Sequence, residues 1–186
     1  AILFDTKADL ANALLSTVRH RPTSFTGSAD HLVSEAFYFD DPEGNGLELY
    51  TDRPRESWTV MDGGRVKMAT LPLDPNAYLE EHLPAEAASS RGSSVGHVHL
   101  QVGDVAEAES FYADVLGFDV TARYGDQALF VAADGYHDHL GLNTWNSRGA
   151  GPRAASLGLE RLAIDVATAD DHAAIKHRLD TAGLES

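Results

Sequence analysis

Cysteine is absent from this 186-residue chain. Disulfide frameworks, thiolate metal sites and cysteine nucleophiles are therefore excluded together. Long apolar runs are missing too: no stretch approaches the roughly 18 residues of a membrane span. No signal-peptide pattern opens the sequence, so cytoplasm is the expected compartment. Cations are scarce, with 14 Lys+Arg against 29 Asp+Glu and a formal net charge of -15. That excess repels phosphate backbones and anionic lipid surfaces, so neither nucleic acid nor a membrane is an expected partner. Gly-rich phosphate loops, nucleophile elbows and zinc-protease motifs are also lacking.

What remains has the composition of a folded protein. Its 43% hydrophobic and 23% charged residues suit one or two small domains with real cores. There are nine histidines, and with thiolates excluded any metal has to be held by His, Asp or Glu. The run Ala1-Ile2-Leu3-Phe4 is already apolar, and Gly183-Leu184-Glu185-Ser186 follows directly on a helix-like segment. Both ends read as cut, and the chain as a piece of a longer protein.

Three segments share one pattern of apolar strand, acidic turn and amphipathic helix. They are Ala1–Phe4 with Lys7–Arg19, His97–Val102 with Asp104–Leu116, and Arg161–Val166 with Asp170–Leu179. The first and third superpose without gaps, Ala1 over Ala163, as a duplicated supersecondary unit would. In the second, Val105, Ala108, Phe111, Tyr112 and Val115 recur at helical spacing, which predicts one buried stripe. Phe111, Tyr112 and Phe118 read as core.

Strands follow each helix. Val33–Phe39 and Leu47–Tyr50 flank a Pro/Gly turn at Asp40–Gly46. Asp119–Tyr124, Ala128–Ala132 and His137–Trp145 read as three strands parted by Gly125-Asp126 and Asp134-Gly135. The prediction is an α+β fold of tandem βαβββ modules, with curved, antiparallel-rich sheets around a cleft. Its expected boundaries are a first module at 1–58, a connector at 59–95 and a second domain at 96–186. The connector carries a hairpin at Thr59–Met61 and Arg65–Met68, a short helix at Ala77–His82 and a linker at Ser89–Ser94.

The most informative stretch runs from Asp30 to Tyr50. Strand alternation puts Glu48 and Tyr50 opposite Leu47 and Leu49, so Glu48 either faces solvent or points into a cleft as an anionic ligand. His97 and His99 share one strand face, and His137 and His139 share another. These imidazoles either converge on a metal or hydrogen-bond among themselves and to Asn143.

The spacing of His31, Tyr38, Asp41-Pro42, Gly44 and Glu48 resembles the extradiol dioxygenase signature of the vicinal oxygen chelate superfamily, which includes glyoxalases and bleomycin resistance proteins. Ala29 departs from that signature. Gly96–Leu100, Phe111–Phe118 and Gly135–Trp145 resemble the catechol 2,3-dioxygenase-like branch. The resemblance implies a non-haem Fe(II), sometimes Mn(II), held by two His and one Glu, which binds a catechol-type diol while O2 takes the neighbouring position. It makes Glu48 the metal ligand and His31 the acid/base for the reacting protons. Tyr38 becomes the hydrogen-bond partner of the substrate oxygen. The histidine ligands of that site are expected two residues before Ala1 and further upstream.

A second site, with His97, His139 and His137 as metal ligands, is expected to be vestigial, because Arg161 stands where the family has His. On this resemblance residues 1–58 end one superfamily domain and 96–186 begin another. The expected protein is an oxidoreductase of aromatic catabolism, working as a homo-oligomer on a small aromatic diol and O2. The alternatives are a glyoxalase- or isomerase-like metalloenzyme, or a non-catalytic small-molecule-binding module of the same fold.

Overall fold

The computed structural model describes residues 1–85, 92–152, 154 and 158–184, and divides the chain into two units, Ala1–Val98 and His99–Ser186. The architecture is α+β, with two antiparallel-rich sheets. In the first unit β1 (Ile2–Phe4), α1 (Lys7–His20), β2 (Phe25–Asp30), β3 (Ser34–Asp40) and β4 (Gly46–Asp52) precede α2 (Pro75–His82) and β5 (Ser93–Val95). The sheet order is β2-β3-β4-β1-β5, with β1 parallel to β4 and the other pairs antiparallel. The expected connector at 59–95 folds within this unit, its hairpin closed by a Val60–Val66 bridge. Residues 89–91 of the expected linker lie outside the described residues, while Ser93–Val95 is strand.

Local chemistry sets these elements. The Thr6 hydroxyl accepts from the Asp9 N–H to open α1, and Pro22 follows its end. Asp74 caps α2 with Pro75 in its first turn, where a missing N–H costs nothing. On β3, Phe37 and Phe39 point under the helices and join Phe4, Leu10, Leu14, Leu49 and Tyr78 in the core. Each such side chain, fully buried, contributes roughly 1.5–3 kcal/mol. Glu35 shares that face and is buried, but Lys7 Nζ and Arg53 both lie 2.8 Å from its carboxylate. Such compensation is what a buried charge requires.

The β3–β4 turn is organised by Asp41. Its Oδ1 accepts from the N–H groups of Glu43 and Asn45, each at 2.8 Å, and its Oδ2 from the Asn45 amide at 2.9 Å. The Asn45 side chain first, then the backbone donors, hold the Asp41 carboxyl below its usual value of 3.8. A depressed carboxyl stabilises the fold above its unfolded pKa, and that contribution disappears as pH falls through the folded one. We expect Asn45→Ala to move Asp41 back toward the ordinary range and to make the turn less sensitive to acid. A carboxyl-carbon NMR titration checks this; an unmoved Asp41 would show that the backbone donors suffice.

In the second unit β6 (Val98–Gln101), α3 (Val105–Glu109), β7 (Asp119–Tyr124), β8 (Ala128–Ala132) and β9 (Leu140–Asn143) precede α4 (Ala169–Thr181). The order β6-β9-β8-β7 repeats the first unit's plan, with first and last strands adjacent. Three expectations change here. The helix turns π-helical at Ser110–Val115, with Leu116 N–H donating to Phe111 C=O. That wider turn rotates the later residues off the stripe, so Val105 and Ala108 are buried while Phe111 is exposed and Tyr112 and Phe118 are only half-buried. The last strand starts at Leu140, not His137. The His137 ring bonds the Asp138 carboxylate, and neighbours in a strand point to opposite faces. Finally, Arg161–Val166 is not strand; among the described residues it has no ladder partner, and Leu162, Ile164 and Val166 are exposed. Its helix nevertheless keeps the repeat's cap: Thr168 accepts from Asp171 N–H as Thr6 does from Asp9.

Candidate functional site

The face of the first sheet opposite its core carries the polar cluster. Register pairs Tyr38 with Glu48 and Ala36 with Tyr50, so these four side chains project together. Glu48 is 7% exposed, which rules out the solvent-facing alternative. Ile2 pairs with Leu49 on one side and with Val95 on the other. One residue further, Ala1 N donates to His97 C=O at 2.8 Å, and Gly96 N–H donates to Ala1 C=O at 3.2 Å. The sheet thereby brings the chain at Gly96-His97 level with Glu48. The His97 ring turns in, its Nε2 3.0 Å from Glu48 Oε2. Tyr50 packs on that ring with centroids 4.7 Å apart. A Cβ on Gly96 would lie 1.8 Å from Tyr50 Oη, so glycine is required where backbone and phenol meet.

From Glu48 the cluster extends in a line. Tyr38 Oη is 3.5 Å from Glu48 Oε1 and 2.6 Å from His31 Nε2. His31 Nδ1 lies 2.7 Å from Ala69 C=O. A carbonyl only accepts, so His31 donates from Nδ1–H to Ala69 and turns Nε2 toward the Tyr38 hydroxyl. Ala69, His31, Tyr38, Glu48 and His97 thus lie along one line of polar contacts, buried at Glu48 and His97 and part-buried at His31 and Tyr38. The single Tyr38 hydroxyl proton can go to His31 Nε2 at 2.6 Å or to Glu48 Oε1 at 3.5 Å, but not to both. The short contact lets a proton move between Tyr38 Oη and His31 Nε2, while the Ala69 carbonyl only orients the ring.

The structure brings Glu48 and His97 together, although spacing assigned them to separate sites. No sequence signal joins them: the pairing of β1 with both β4 and β5 sets the meeting. His99 lies in the second unit, edge-on to Phe130 at 6.3 Å, where Gly141 leaves room for its ring. His137 is buried and bonded to Asp138, while His139 Nδ1 accepts from Ala133 N–H. Tyr136 stacks near both, at 4.1 and 4.9 Å. Among the described residues neither belongs to a group of three or more metal-ligating side chains. Arg161 is exposed. No helix among the described residues is long and apolar enough to cross a membrane.

Residues 94–185 match the family described as the Glyoxalase/Bleomycin resistance protein/Dioxygenase superfamily. Over 186 aligned residues the chain is 40% identical to a catechol-2,3-dioxygenase of Bacillus subtilis (strain 168), covering 98% of this chain and 65% of that protein. It therefore spans just under two thirds of that relative's length. Among solved structures, the Mn(II)-bound glyoxalase from Novosphingobium aromaticivorans aligns at 22% identity with a TM-score of 0.35, over 97% of this chain and 50% of that one.

Proposed function

We propose that this chain, which belongs to the Glyoxalase/Bleomycin resistance protein/Dioxygenase superfamily, is part of an extradiol dioxygenase that opens a catechol-type ring with O2. The observation that carries the reading is the series from His31 through Tyr38 to Glu48. An acid/base pair adjoins a buried carboxylate, and the relative with 40% identity is named a catechol-2,3-dioxygenase. The carboxylate and imidazole of Glu48 and His97 suit a divalent first-row metal, Fe(II) or Mn(II) on this reading. Those two residues would hold it. When bound, the metal would gather the diol and O2 and activate both for ring opening.

The chain's own residues handle the protons. His97 Nε2 turns Glu48 so that its Oε1 faces Tyr38. A diol hydroxyl delivered beside Glu48 meets Tyr38 Oη. Its proton passes to that oxygen as the phenol's own proton moves to His31 Nε2, 2.6 Å away. The Ala69 carbonyl holds His31 in the tautomer that leaves Nε2 free to accept. The same path returns the proton later. Under this reading the partners are a small aromatic diol and O2, and the compartment is cytoplasm.

The test uses the protein at the length it has in the cell, loaded anaerobically with Fe(II) and then given catechol and air. Oxygen uptake with a yellow ring-fission product is expected. His31→Gln should lower turnover about 100-fold or more, the scale of a lost acid/base group. Metal binding with no oxygen uptake across a series of catechols would turn the assignment toward a glyoxalase- or isomerase-like enzyme. Neither metal binding nor uptake would turn it toward a binding module.

A further inference from the structure

We propose that Asp30 is a positioning residue that aims His31, by holding the next residue, Leu32, in a left-handed backbone conformation. The inference rests on the reading of His31 as the acid/base, and adds a residue outside the Ala69-to-His97 series. Leu32 has φ 70, a region that costs a non-glycine residue about 1–2 kcal/mol. Strain of this kind persists only where surrounding contacts enforce it.

Asp30 supplies that enforcement. Its Oδ1 accepts from Leu32 N–H at 2.8 Å, and its Oδ2 accepts from Arg53 at 2.8 Å. The same Arg53 nitrogen donates to the buried Glu35, 2.8 Å away, so the Asp30 carboxylate is tied to the ion cluster beneath α1. Backbone bonds fasten both sides of the turn. Asp30 exchanges two with Leu71, His31 N–H donates to Ser34 C=O at 2.9 Å, and Ala69 N–H donates to His31 C=O at 3.3 Å. Three residues, 31–33, join β2 to β3 here. With Leu32 turned left-handed, this short link places His31 between the Ala69 carbonyl and the Tyr38 hydroxyl.

The experiment compares Asp30→Ala, Asp30→Asn and the double variant Asp30→Ala/Leu32→Gly. It reads the His31 ring by nitrogen NMR and, separately, kcat and KM for catechol. Asp30→Ala is expected to replace the single Nδ1–H signature with averaged tautomers. It should lower kcat about 10–100-fold, the scale of a misplaced reacting group, with KM little changed. Asp30→Asn keeps an acceptor for Leu32 and is expected to keep the signature. Adding Leu32→Gly, which tolerates φ 70 unaided, is expected to restore much of it. If Asp30→Ala leaves the His31 ring as in the parent, or if glycine restores nothing, the proposal is overturned. Should Asp30→Ala fail to fold, loss of the signature in Asp30→Asn overturns it equally. A parent protein that opens no diol defeats the oxygenase reading alone, because the ring spectrum still decides what Asp30 does.

Discussion

Glu48→Gln is expected to abolish tight binding of a divalent metal while leaving the fold intact. The substitution keeps the side chain's shape and an oxygen within reach of His97 Nε2, 3.0 Å away. What it removes is the negative charge, the one anionic donor of the Glu48–His97 pair. Loss of even an outer partner of a metal ligand typically weakens binding about 10–100-fold, so loss of the carboxylate itself should reach at least about 100-fold. Stability of the metal-free protein should hold or rise, because a buried charge that must be compensated becomes a neutral amide. Calorimetric titration with Mn(II) reads the first effect and thermal unfolding of the metal-free protein reads the second. A Gln variant that binds Mn(II) as the parent does would remove Glu48 from the metal site and, with it, the basis of the oxygenase reading.

Gly96→Ala should be the most damaging single methyl in the first unit. The added carbon would lie 1.8 Å from Tyr50 Oη, 2.6 Å from Cζ and 2.9 Å from Cε1. Tyr50 is fully buried, with its ring against His97, so it has little room to retreat. Either the ring rotates or the chain at residue 96 moves off Ala1. Both paths separate His97 from Glu48. Overpacking of this kind costs about 1–3 kcal/mol, and the upper end is expected. Urea unfolding measures it, and Mn(II) affinity should fall in parallel. Stability within about 0.5 kcal/mol of the parent would mean that the glycine is not required there.

The difference between what was legible and what was not follows the range of the interaction. The Asp41 turn, the strands beside it and the opposite-face placement of Glu48 and Leu49 depend on neighbours a few residues apart, so the residues declare them. The threonine caps of α1 and α4, at matching positions of the internal repeat, came to light only in the structure. β2 escaped notice because Thr26-Gly27-Ser28-Ala29 is small and polar. It is strand because β3 supplies a partner, not because of its own propensity. Arg161–Val166 is the converse, an apolar alternating segment that stays unladdered among the described residues.

Sequence alone determined the βαβββ plan, the acidic excess of the chain and the placement of Glu48 on the face opposite Leu47 and Leu49, because composition and alternation are properties of the chain itself. Grouping Glu48 with His31 and Tyr38 came from the family resemblance. Only the tertiary structure decided that His97 meets Glu48 across 49 residues of chain. It also decided that His137 turns to Asp138, that α3 changes pitch, and that Leu32 bends left-handed beside His31. These outcomes depend on sheet register and on where buried polar atoms find partners. Both are settled by segments far apart in sequence packing at once.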